Sequence, residues 1–163
     1  MIVAPASTLY DAVLGVHIVA IVLAFGWTFA LPLMYVVASR HAPRSLALLH
    51  RIEYTSMRLI LNPALVLVLG AGIFLASDGH QWSEFFVGWG LAAVVVIGAL
   101  AGSVMIPTAK RAEQAALDDL QAAGDGELAP GPAYLAFVRR LNIVGSLLWL
   151  IVVATILVMA IKP

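Results

Sequence analysis

Four apolar runs, at about 10–37, 59–76, 85–106 and 141–161, constrain this chain more than anything else in it. A helix needs roughly 20 mostly apolar residues to cross the hydrocarbon layer of a bilayer, and all four runs meet that length. Buried strands are excluded because each run is about three times the usual strand. Composition agrees. The chain is 63% hydrophobic and 11% charged, with a mean hydropathy of +1.02, whereas soluble domains are nearer half apolar and a quarter charged. The expectation is an all-α membrane protein: one four-helix transmembrane domain over residues 1–163, with no water-soluble domain left over.

The few charges are informative. Arg40, Arg44, Arg51 and Arg58 flank the first connection, Lys110, Arg111, Arg139 and Arg140 flank the third, and only Lys162 falls elsewhere. By the positive-inside bias the connections 38–58 and 107–140 face the cytoplasm. Both termini and the short connection "SDGHQWSE" then face outward, in a multi-pass protein of the cell membrane, with a bacterial inner or plasma membrane the expected site. No Lys or Arg precedes the first run, which is too long for the apolar part of a cleaved signal, so it is expected to stay as an anchor. The zero net charge gives no reason to expect nucleic acid. With no cysteine, disulfides, thiolate nucleophiles, iron–sulfur clusters and thioether-linked haem are excluded.

Short connections place consecutive helices side by side, so the expected architecture is an antiparallel four-helix bundle. Ser45 is placed to cap a helix beginning at Leu46, within what reads as a short amphipathic turn, and "PTAKRAEQAALDDLQAA" prolongs the third span with its acidic middle solvated. Helix contact in lipid relies on small residues. Ala20 and Ala24 share a stripe with His17, while Gly98 and Gly102 form a small-xxx-small pair suited to internal packing or to a homo-oligomer or membrane-partner contact.

His17 interrupts the apolar stretch "LGVHIVAIVLAFGWTFALPLMY". Lying six residues after Asp11, it sits roughly 9 Å inside the apolar layer at 1.5 Å per residue. A neutral imidazole there can ligate haem iron through one nitrogen while the other donates to a carbonyl, or it can simply bond a neighbouring helix. Arg58 and Asn62 share a helical face next to Pro63, which frees the carbonyl of Leu59, and Arg139 with Asn142 repeats the pairing on the fourth helix. Either pair fits an anionic group, including lipid phosphate. Trp27 and Trp149 lie deep in their spans, where they can line a tetrapyrrole or pack. His80, in the outward connection, is a candidate second ligand or propionate donor. Met57, Met105 and Met159 fall near helix ends. There is no nucleotide loop, zinc motif or hydrolytic triad, and the third span is free of ionisable residues, which argues against an ion relay.

The chain resembles the HemJ-type membrane protoporphyrinogen oxidases and their uncharacterised four-span relatives. The likeness rests on His17 followed by Leu31 and Pro32 in the same span, and on Glu53, Arg58, Pro63, Ala64 and Gly72 in "RIEYTSMRLILNPALVLVLGAG". Arg139, Asn142 and the terminal Lys162 and Pro163 complete it. The resemblance covers nearly the whole chain and implies a haem-binding four-helix protein with His17 as the axial ligand. Three positions depart from the oxidase pattern. Leu33 stands where a basic residue follows the first-span proline, the third span lacks its His and Lys, and Ile143 replaces a Glu. The likeness is therefore to the uncharacterised relatives.

The leading expectation is haem b held by His17, with Trp27, His80, Arg58, Asn62, Arg139 and Asn142 as further cofactor contacts and a redox role. The competing expectation is a cofactor-free complex subunit or small transporter-like protein. Protoporphyrinogen oxidation itself ranks third. His17 and Arg58 are roughly 20 Å apart along the normal of a ~30 Å layer, so the carboxylates of a haem on His17 point outward, toward His80, Gln81 or Lys162.

Overall fold

The computed structural model describes residues 5–162. No strand occurs among them. Helices α1 (Pro5–Phe25), α2 (Leu31–His41), α3 (Leu46–Ser56), α4 (Asn62–Asp78), α5 (Phe85–Leu100), α6 (Ile106–Ala123) and α7 (Pro132–Ile161) follow in order. They join into four rods long and apolar enough to cross a membrane, Leu9–His41, Pro43–Asp78, Phe85–Ala123 and Pro132–Ile161. The rods have 30 to 39 residues, or about 45–58 Å at the helical rise, against a ~30 Å hydrocarbon layer. Most of what the sequence offers as connection is therefore helix. The turn expected at 38–58 is largely α3, which does begin at Leu46, although Ser45 forms no cap and its hydroxyl donates instead to Ala42 O at 2.7 Å.

Three rods change pitch where a proline enters the helix. Proline has no N–H to donate, and its ring clashes with the carbonyl four residues back. Ahead of Pro32 the chain tightens into a 3₁₀ turn at Gly26–Phe29. Before Pro63 and Pro107 it widens instead into π turns at Met57–Leu61 and Ala101–Met105, closed by Asn62 N–H to Met57 O and Ile106 N–H to Ala101 O.

The rods form a bundle in which α1 packs along α4, α3 along α6, and α7 along both α5 and α6. Its interior is built from small and medium residues, including Ala20, Ala24, Ala101, Ala109 and Ala112, with Leu61, Leu65, Ile97 and Leu141. Close approach through alanines is what favours contact in lipid, where apolar side chains gain nothing by leaving the solvent. The outer surface is correspondingly apolar, as at Leu59 (71% exposed), Val66 and Val95. One end of the bundle holds the 79–84 turn and Lys162 and is termed the turn end. At the other, the loop end, Arg44 Nη2 ties the α2–α3 corner to Gly124 O and Gly126 O at 2.8 and 2.9 Å. There Asp119, expected on a solvated face, is half-buried and accepts Gly131 N–H at 2.8 Å, just before α7.

Candidate functional site: a hollow beside His17

His17 projects from α1 toward α4, where Gly72 makes room for it. A Cβ at position 72 would touch the imidazole Cε1 at 3.5 Å. Nδ1 lies 3.1 Å from the carbonyl oxygen of Val68. A carbonyl only accepts, so in the neutral imidazole Nδ1 carries the proton and Nε2 keeps its lone pair. The same arrangement fixes a metal-binding histidine, with one ring nitrogen held by the protein and the other presented.

What lies beside that ring is a cavity of about 530 Å³ between all four rods, bounded by His17 and Phe25 from the first, Gly72 from the second, Phe86 and Gly90 from the third and Met159 from the fourth. Ligand pockets typically occupy ~300–1,000 Å³. The cavity reaches the turn end, since Gln81, Trp82 and Lys162 also line it. Apart from Tyr10 and Thr155, the rest of its wall is apolar, as a tetrapyrrole face requires. Gly90 keeps the third rod flat beneath Met159, whose methyl occupies the space where a Cβ would go. Met159 thus places a thioether on the same cavity as His17. Among the described residues no three His, Cys, Asp or Glu side chains gather, but axial ligation of a haem asks only for one or two.

The other expected contacts are elsewhere. Trp27 belongs to the 3₁₀ turn and packs on the core, its indole N–H buried without a partner among the described residues; it does not line the cavity. Trp149 is on the outer surface, edge-on to Phe29 at 5.9 Å. His80 is exposed, with a positive φ of 54°, its Nδ1–H donates to Asp78 O at 3.0 Å, and it does not line the cavity. Arg58, Asn62, Arg139 and Asn142 are all exposed and contribute nothing to the cavity. The Gly98 and Gly102 pair divides. Gly98 faces Leu65 of α4, while Gly102 is exposed with open space around it.

A second polar group lies toward the loop end and was missed by the sequence reading. His50 and Glu53 of α3 are 1% and 4% exposed. Tyr35 of α2 donates its hydroxyl to Glu53 Oε2 at 2.5 Å and lies 2.7 Å from His50 Nδ1. That nitrogen is also 3.3 Å from Glu53 Oε2, and His50 Nε2 is 3.2 Å from the hydroxyl of Tyr134, in the first turn of α7. One proton assignment satisfies every group: Tyr35 O–H to the carboxylate, Nδ1–H to the Tyr35 oxygen, and Tyr134 O–H to Nε2. The signal was present in the sequence as a stripe. Leu46, Leu49, His50, Glu53 and Met57 recur at helical spacing and are all buried.

Comparison with protein-family models, curated proteins and solved structures finds no match for this chain.

Proposed function

We propose that the protein is a haem-binding protein of the cell membrane, with antiparallel rods, the loop end in the cytoplasm and the turn end outside. Eight of the nine Lys and Arg residues fall at 38–58 and 107–140, which supports this orientation. One observation carries the ligand assignment: His17 is locked by Val68 O into the tautomer that leaves Nε2 unprotonated, beside a cavity of about 530 Å³. A lone pair in an apolar hollow is matched by a metal or by an N–H or O–H donor. The large apolar walls favour a flat macrocycle carrying a metal. His17 supplies the axial nitrogen, Val68 O orients the ring, and Gly72 and Gly90 keep space beside it. A bound haem supplies one-electron redox chemistry.

Purified protein reconstituted with haem in lipid nanodiscs is expected to give a Soret band at one equivalent, lost or shifted in His17→Ala. A wild-type spectrum identical to that of His17→Ala rules out the assignment.

A further inference from the structure

The cavity is bordered by six side chains with polar atoms, and their hydrogen bonds can be counted. Thr155 is spent: its hydroxyl donates to Ile151 O at 2.7 Å and accepts from Trp89 Nε1 at 3.1 Å. Trp82 is spent too, since its indole N–H donates to Ser77 Oγ at 3.3 Å. His17 has used Nδ1 and retains the lone pair of Nε2. Among the described residues, the side chains of Tyr10, Gln81 and Lys162 make no hydrogen bond or ion pair, and no Asp or Glu lines the cavity. All three offer donors, one of them cationic. They also share a location: Gln81 is in the 79–84 turn and Lys162 closes α7, so the donors collect at the turn end.

Lys162 is held there by its backbone. It adopts a left-handed conformation (φ 51°, ψ 58°) with its N–H on Val158 O at 2.9 Å, which ends the helix. Its ammonium lies 5.4 Å from the centre of the Phe86 ring, a residue of the cavity wall. The hollow is therefore polarised, with an acceptor nitrogen and apolar walls at depth and unspent donors at the rim.

We infer that Lys162, with Gln81 and Tyr10 beside it, anchors a carboxylate of the cavity ligand, so that the site selects an amphipathic acid over its neutral analogue. This rests on the tetrapyrrole reading and adds a residue that determines specificity. An ammonium at the edge of an apolar layer gains most from an anion that arrives with its own apolar body filling the space below. Lipid phosphate offers the same anionic oxygens, but it is present equally whichever cavity ligand is added.

The test compares iron protoporphyrin IX with its dimethyl ester, titrated by Soret absorbance into protein in phosphatidylcholine nanodiscs. The free acid is expected to bind wild type about tenfold more tightly than the ester, the size of one charge-assisted hydrogen bond. Lys162→Gln is expected to remove that preference by weakening the acid alone, and Lys162→Arg to restore it. Equal binding of acid and ester to wild type, with bands that still depend on His17, overturns the anchor and leaves the tetrapyrrole reading standing. A preference that survives in Lys162→Gln does the same. If neither compound gives a His17-dependent band, the tetrapyrrole reading falls and the anchor with it.

Discussion

Two histidines mark the two ends of this bundle, and they are held in opposite ways. His50 has both ring nitrogens engaged by side chains from three helices and is almost fully buried. His17 has one nitrogen bonded to a carbonyl and the other without a partner among the described residues, and it lines a hollow. The first arrangement spends its polar groups on joining α2, α3 and α7. The second keeps one in reserve. Burial alone would rank His50 as the more functional of the two, since it is the deeper. Counting lone pairs reverses the order, because a ligand can bind only where a polar group and a space coincide.

Substitutions can break this contrast from either side. The largest expected effect is on stability at the loop end. Glu53→Ala takes the acceptor from the Tyr35 hydroxyl in a buried environment, and each polar group left unsatisfied there costs about 1–3 kcal/mol. Thermal unfolding in detergent should show a large loss of stability in this variant, and an unchanged midpoint would mean the cluster is not the clamp its geometry indicates. At the turn end the corresponding large effect is on binding. Gly72→Leu, placed against the imidazole, is expected to lower haem affinity by at least about tenfold through displacement of the ring, equal to ~1.4 kcal/mol. Titration of the Soret band measures it. An intact affinity would show that the ring is not oriented by this contact.

Smaller effects sharpen the comparison. Tyr134→Phe removes one hydroxyl from His50 Nε2 and should cost about 1 kcal/mol, the usual net worth of such a bond, with no change in haem binding. His17→Ala is expected to be its mirror image, with stability of the apoprotein within about 1 kcal/mol of wild type but the Soret band lost. If the two variants change the same property by the same amount, the division between clamp and site is wrong. The smallest expected effect is Gly72→Ala. Its Cβ meets the ring at an ordinary 3.5 Å, so both stability and spectrum should stay close to wild type.

The sequence was clear about some levels of this structure and silent about others. The four spans and the burial of Ala20 and Ala24 beside His17 follow from length and from 3.6-residue spacing, whereas α3 was read as a short turn and its start at Leu46 was tied to a Ser45 cap that does not form. Facing was harder to read. A span that is apolar all round carries little record of which side turns inward, so Trp149, expected to line a tetrapyrrole or to pack, lies instead on the outer surface. The π turns add to this. Each inserts one extra residue into a turn, so spacing rules extended through 57–61 or 101–105 lose register. Arg58 lies within the first of these and Asn62 just beyond it, while Gly98 precedes the second and Gly102 lies within it. The cluster was hidden for another reason: Tyr134 meets His50 across 84 residues of chain, and no local pattern encodes that meeting.

The bond from His17 to Val68 also has a genetic consequence. Its acceptor is main chain, so no side-chain exchange at position 68 can delete it, and any residue able to continue α4 there would present the same oxygen. The orientation of the imidazole is in this sense inherited from the helix itself. Random mutagenesis screened for loss of binding should therefore return position 17, and bulky replacements at 72, while at Val68, which is buried and lines the cavity, it should return only exchanges that change the space and not the bond.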